Sequence, residues 1–171
     1  GLAEARGEAV LFLDDDDLLL DPAYLYRVWR VLSREEAVVY GEGVLLLGLE
    51  EVPFAPGEVG AWLLRENRLL ASGTALPKRT LLALGGLDGG MGDYWDWDLW
   101  LRAYKAGLPF RYLRGRGVGI RVHGGNQSYG ARRAERAYYL ERLCAKHGLG
   151  PLPLKDHLAL AREGLGEAQS P

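Results

Sequence analysis

The stretch GEAVLFLDDDDLLLDPAYL, residues 7–25, decides the fold. Its apolar run Ala9, Val10, Leu11, Phe12 and Leu13 is short, bounded by polar residues, and reads as a buried β-strand. Four consecutive aspartates, Asp14 to Asp17, follow directly. In open α/β sheets ligands gather beyond the carboxyl ends of the strands, and carboxylates clustered there repel one another unless something compensates. Asp21-Pro22 then reads as an N-cap followed by proline at the first helical position. Leu25, Val28, Trp29 and Leu32 recur at helical spacing, so an amphipathic helix is expected over 22–33.

In an extended chain Asp14 and Asp16 share one face while Asp15 and Asp17 share the other. A pair at that spacing can place carboxylate oxygens on a hard cation. Mg²⁺ typically takes one or two carboxylates and completes its shell with phosphates and water. A solvated acidic turn, favoured by the positive end of the next helix, is the alternative. Both readings stand at this point.

Outward from this stretch, apolar runs at 37–40 and 43–48 read as two strands around Gly41-Glu42-Gly43, and 49–57, with Pro53, Pro56 and Gly57, as loop. A short helix is expected over 58–66, a strand-like stretch from Ser72 to Leu76, and a helix over 78–84 stopped by Gly85-Gly86. A helix from Tyr94 to Lys105, strands at 109–113 and 117–123, a charged helix over 131–147 and a short helical pattern after Pro151 with a frayed tail complete the chain. The pattern is α/β with a mixed sheet flanked by helices. The division expected is a main domain over 1–150 and a helical tail over 151–171.

Composition narrows the function. At 171 residues and a net charge of −2, the chain holds a real core and offers no reason to bind nucleic acid. Most of its 21 cationic residues are arginine, which suits diphosphate or carboxylate recognition and is equally produced by a GC-rich genome. The single Cys144 excludes an intramolecular disulfide and a cysteine metal site. No apolar run approaches the roughly 20 residues of a membrane helix, so a cytoplasmic setting, or the cytoplasmic face of a membrane, is expected. Scarce Asn, Gln, Met and Cys hint at a thermophile.

A second constellation is GDYWDWDLW, residues 92–100. Asp93 is placed to cap the helix, Asp98 to pair with Arg102 at the surface, and Trp95, Trp97 and Trp100 to serve as core or as a platform for a sugar ring. Asp96, at a helix start facing a cleft, is placed to accept a proton from a hydroxyl nucleophile. His123, on the Arg121 face of its strand, is placed to touch a metal or phosphate.

In order along the chain, GEAVLFLDDDDLLLDPAYL resembles the metal-binding "DxD" segment of family 2 glycosyltransferases of the GT-A (nucleotide-diphospho-sugar transferase) fold. SGTALPKRTLLALGGLD (72–88) resembles their acceptor-side stretch, YWDWDLWLRAYKAGLPFRYL (94–113) their "ED" helix and next strand, and IRVHGGNQS (120–128) their terminal histidine segment. The resemblance implies that Asp14 lies near the donor ribose with Asp15 beside it, that Asp16 and His123 serve a Mn²⁺ or Mg²⁺ on the donor diphosphate, and that Asp96 is the base. It implies an inverting transfer of sugar from a nucleotide-sugar donor to a glycan, lipid or other hydroxyl acceptor.

Two departures qualify it. Trp95 stands where the family usually carries an acid, which makes Asp93 the spare base. The family's first βαβ units, which form the nucleotide pocket, have no counterpart before Gly7. The chain is therefore expected to be a C-terminal portion with an exposed sheet edge beside strand 9–13, open to self-association. A non-catalytic carbohydrate- or cation-binding module using the tryptophans is the competing reading, and a purely structural, partner-binding domain is the third.

Overall fold

The computed structural model describes residues 1–122 and 133–167. Their strands are β1 (Ala9–Leu11), β2 (Leu18–Leu19), β3 (Val38–Leu47), β4 (Glu50–Phe54), β5 (Ala75–Pro77) and β6 (Phe110–Arg121). The helices are α1 (Tyr24–Leu32), α2 (Lys78–Ala83), α3 (Trp95–Lys105), α4 (Arg133–His147) and α5 (His157–Glu167). Short 3-10 turns cover Ala61–Leu64 and Gly89–Tyr94. The strands form one curled mixed sheet in the order β1-β5-β3-β6-β2, with β4 also on β3. β3 runs parallel to β6 and antiparallel to β5, which is itself antiparallel to β1. β1, β3 and β6 therefore point the same way, and their carboxyl ends share one rim.

Both pairs of short strands expected from the sequence are single long strands. The glycines at 41 and 43 mark a bulge, not an end. Leu113 pairs with Gly41 while Arg116 pairs with Glu42, so β6 carries extra residues there. The Glu42 carboxylate pins the bulge, accepting the Tyr112 hydroxyl and the Gly115 N–H at 2.6 Å each. The expected loop at 49–57 contains β4, in which Pro53 lies opposite Val44. β4 pairs only with β3 among the described residues, so the missing proline N–H costs the sheet nothing.

Alternation along β3 builds a core on each face of the sheet. Val38 and Tyr40 join Trp97, Trp100, Leu101 and Leu143 on one side. Val39 and Leu45 join Tyr24, Val28, Leu158 and Ala161 on the other. The stretch after Pro151 thus supplies α5 to the second core.

Two burial expectations need correction. β1 is not a buried strand: Ala9 is exposed and Val10 and Leu11 are half-buried, because β1 pairs only with β5 among the described residues. On α1 the buried residues are Tyr24 and Val28, while Leu25 and Trp29 are 55% and 60% exposed. Those two side chains line a groove of about 810 Å³ that runs along β1 and also meets Leu82. Helical spacing located the helix, but of the expected stripe only Val28 is buried, and Tyr24, outside that stripe, is the other buried residue. It carried no information on what lies opposite.

The approach to β5 is held by Gly73, at φ +87°. The Tyr24 hydroxyl donates to its carbonyl at 2.9 Å, and a Cβ at this position would lie 2.5 Å from Val118 Cγ1. Gly73→Ala therefore combines a left-handed backbone with overpacking, and is expected to cost roughly 2–4 kcal/mol in urea denaturation. A loss below about 1 kcal/mol would contradict this packing.

Candidate functional site

The aspartate run carries the chain from β1, at one end of the strand order, to β2 at the other. It does so by turning: the Asp17 N–H donates back to the Asp14 carbonyl at 3.2 Å. The side chains consequently do not alternate as an extended chain would. Asp14, Asp16 and Asp17 each offer one carboxylate oxygen, all within 4.8 Å of one another, and Asp15 lies outside this trio. The turn swings Asp17 onto the side of its neighbours, which corrects the paired faces expected from the sequence.

Ser72 fastens this turn. Its hydroxyl accepts the Asp14 N–H at 3.0 Å and donates to Asp17 Oδ2 at 2.5 Å. The other Asp17 oxygen accepts the Arg121 N–H at 3.1 Å, which ties the run to the end of β6. Burial, and then the charges of Asp16 and Asp15, hold the Asp14 carboxyl above its ordinary range. Burial also raises Asp17, against the opposing pull of its Ser72 and Arg121 bonds.

Asp96 approaches from α3. The helix begins after a 3-10 turn capped by Asp88, which accepts the Gly90 N–H at 2.8 Å; Tyr94, at the α3 N-cap, makes no side-chain capping bond. Asp93 is therefore not the α3 cap expected from the sequence. Asp96 is only 7% exposed. Its Oδ1 accepts the Trp97 N–H at 2.7 Å and its Oδ2 the Asn67 side-chain amide at 2.8 Å. Burial pushes its pKa up to about 6, with the charge of Asp14 adding to the rise and the Trp97 and Asn67 bonds opposing it. Phe12 bridges the segments of Asp14 and Asp96, with its ring centroid 5.1 Å from Trp95 and 6.0 Å from Trp100.

Beside Asp96 opens a cavity of about 70 Å³, also lined by Asn67, Asp93, Tyr94, Arg136 and His157. His157 Nε2 lies 3.1 Å from the Leu69 carbonyl, and burial holds the ring's pKa low, so it sits there neutral.

Asp98 is different. Two residues along a helix are about 200° apart, so Asp98 turns away from the cavity toward α4. It is fully buried. Its Oδ2 meets Arg102 Nε at 2.9 Å and Nη2 at 2.7 Å, and its Oδ1 meets Lys146 at 2.7 Å and His147 at 2.8 Å. The expected surface pair with Arg102 is a buried hub. The tryptophan platform also fails as a surface: Trp97 and Trp100 lie in the core, and Trp97 Nε1 donates to the Leu63 carbonyl at 2.8 Å. Trp95 alone of the three is half-buried.

No protein-family model matches the chain. It is similar to a protein of Bacillus subtilis (strain 168) named "Uncharacterized glycosyltransferase YwdF", with 27% identity over 171 residues covering 95% of this chain. The chain spans 63% of that relative's length.

The donor set fits a hard divalent cation. Asp14, Asp16 and Asp17 bring three carboxylate oxygens together, and a cation would offset the charges of Asp16 and Asp15 that add to burial in raising Asp14. His123 lies outside the described residues. Sequence reading missed Ser72, Asn67 and His157. Nothing in their local spacing marks them, since each meets its partner across a long stretch of chain. Among the described residues no helix is long and apolar enough to cross a membrane.

Proposed function

We propose that the chain is the acceptor-side and metal-binding portion of a family 2-like glycosyltransferase of the GT-A type. It moves a sugar, with inversion, from a nucleoside-diphosphate donor to an acceptor hydroxyl. What supports the reading is the packing of Phe12, two residues before Asp14, against Trp95, the neighbour of the buried Asp96, which sets the segment that carries the carboxylate cluster against the segment that carries the acid. The relative's name points to the same class of reaction.

Asp96 is the base. A carboxyl with a pKa of about 6 is mostly ionised at neutral pH and is a better proton acceptor than an ordinary aspartate. The acceptor oxygen attacks the anomeric carbon, its proton passes to Asp96, and the bond from that carbon to the diphosphate oxygen breaks on the opposite side. The released pair of electrons stays on the nucleoside diphosphate. Asp14 and Asp16 are the residues to hold Mn²⁺ or Mg²⁺, with Asp15 toward the donor and His123 the further candidate from the sequence. A bound cation would neutralise charge on the departing diphosphate. The cavity beside Asp96 is the place for the acceptor hydroxyl.

Calorimetric titration of the protein with a nucleoside diphosphate, with and without Mn²⁺, tests this reading. Metal-dependent binding is expected, and it is expected to vanish in Asp16→Ala. Binding that is unchanged in that variant sinks the metal assignment.

A further inference from the structure

We propose that Ser72 is the positioning residue of the carboxylate cluster, acting through Asp17, which serves as a strut for the ligating pair Asp14 and Asp16. This rests on the cation site proposed above. The resemblance drawn from the sequence gave the stretch that opens with Ser72 to the acceptor side and gave Ser72 itself no role.

The inference starts from the donor and acceptor inventory of a hydroxyl, which has one proton to give and two lone pairs. Ser72 is buried. It accepts the Asp14 N–H and gives its one proton to Asp17 Oδ2. Both partners belong to the acidic turn, 58 and 55 positions away in sequence. Its own place is fixed by backbone on the adjacent residues. The Gly73 N–H donates to the Phe12 carbonyl at 2.8 Å, and the Phe12 N–H donates to the Thr74 carbonyl at 3.0 Å. The ladder between β1 and β5 therefore continues up to Ser72, which stands at its end as a fixed post.

From that post the hydroxyl sets two things at once. It holds the backbone of Asp14, the first carboxylate, and it holds one oxygen of Asp17. The other Asp17 oxygen is held by the Arg121 N–H at the carboxyl end of β6. A carboxylate anchored at both oxygens, to two separate segments, cannot follow a cation as a flexible ligand would. It fixes the width of the turn and supplies negative charge. Asp14 and Asp16 keep their side chains toward the ion. Groups that hold ligating residues in this way typically contribute 10–100-fold in metal affinity.

The test is a double-mutant cycle on the whole protein, with Mn²⁺ affinity read from the electron paramagnetic resonance signal of free Mn²⁺. Ser72→Ala is expected to weaken Mn²⁺ binding roughly 10–100-fold. Asp17→Asn keeps an oxygen for the Arg121 N–H and an amide to meet Ser72, and is expected to weaken it less than Asp16→Asn does. The double variant Ser72→Ala/Asp17→Asn is expected to lose less than the two single losses combined, because once Ser72 is gone the strut is already lost and only the charge of Asp17 remains to be removed.

Losses that simply add would make the two residues independent and overturn the inference. So would an Asp17→Asn loss equal to that of Asp16→Asn, which would make Asp17 a ligand. Amide hydrogen exchange without metal provides a second readout. Ser72→Ala is expected to speed exchange at Asp14 and Arg121 about tenfold, through loss of hydrogen bonds each worth on the order of 1 kcal/mol. Unchanged exchange at both amides overturns the positioning role whether or not metal binds. Quickened exchange in a protein that takes up no Mn²⁺ would remove the cation reading and leave Ser72 as a purely structural post.

Discussion

Asp96→Asn is expected to lower turnover roughly 10²–10⁴-fold, the range of a lost general base, while nucleoside diphosphate and Mn²⁺ binding persist. Among the described residues of α3, the cavity is lined by Asp96 and Trp97, and of these only Asp96 carries a group that accepts a proton. The wild-type rate is expected to fall as pH drops through about 6, where Asp96 takes up its proton. Asp96→Asn is expected to lose that inflection. A variant that retains more than a tenth of wild-type turnover would move the base role to Asp93, which lines the same cavity.

The same substitution carries an opposite expectation for stability. The folded-state pKa of Asp96 is raised above the ordinary 3.8, so folding favours the protonated form. A raised group contributes stability that is fully present below its unfolded value and is lost as pH rises through its folded value. Between pH 4 and 6, therefore, the wild type gives up stability as it ionises Asp96, on the order of 3 kcal/mol from a shift of this size. Asparagine avoids that cost but can satisfy only one of the Trp97 and Asn67 donors with its single oxygen, a loss of about 1 kcal/mol. Asp96→Asn is expected to melt higher than wild type at pH 7, with the advantage shrinking toward pH 4. A variant that is less stable at pH 7 would mean that Asp96 is there for structure.

Asp98→Ala has the largest expected effect on stability. Four donor contacts from Arg102, Lys146 and His147 converge on this buried carboxylate and join α3 to α4. Burial alone would raise its pKa, but the bonds from Lys146, His147 and Arg102 outweigh it and hold the carboxyl low. The imidazole of His147 is held neutral by burial. The network then assigns its tautomer: Nε2–H donates to Asp98, and Nδ1 accepts from Lys105 Nζ at 3.4 Å. Removing the carboxylate takes the shared acceptor from Arg102 and His147 and leaves Lys146 only its more exposed pair with Asp88 at 2.7 Å.

A loss of roughly 3–5 kcal/mol is expected, the cost of breaking a buried pair by deleting one partner. That corresponds to a fall in melting temperature on the order of 10 °C for a domain of this size. A depressed carboxylate contributes stability that is present above its unfolded pKa and is lost as pH falls through its folded value. The difference between wild type and Asp98→Ala should therefore narrow below about pH 4. Urea denaturation at pH 7 and pH 3 reads both effects, and a difference under about 1 kcal/mol at pH 7 would make the hub incidental.

Asp96 and Asp98 show how far sequence reading reaches. Both sit at the start of the same helix, and the spacing that places them on opposite faces was legible. Which face met a cavity and which met α4 was not. The pairing of Asp98 with Arg102 reads identically whether the pair is solvated or buried, because the i, i+4 pattern is a property of the helix alone. The bulge where β6 passes Gly41–Gly43 of β3 misled for a related reason. Gly41 and Gly43 look like breakers in one strand, and only the neighbouring β6, with its extra residues, turns the break into a register shift.

The sequence by itself determined the α/β class, the strand that delivers the aspartates, the helix that carries Asp96, and their order along the chain. These are written in local periodicity, in caps and in turn residues within a few positions of one another. Tertiary structure alone decided that Asp17 turns back beside Asp14 and Asp16, that Ser72 and Asn67 hold the two acidic centres, and that Trp97 and Trp100 belong to the core. The partners concerned lie between 29 and 104 positions apart. Contacts across such distances are set by how the sheet curls and packs, which no short window of residues records.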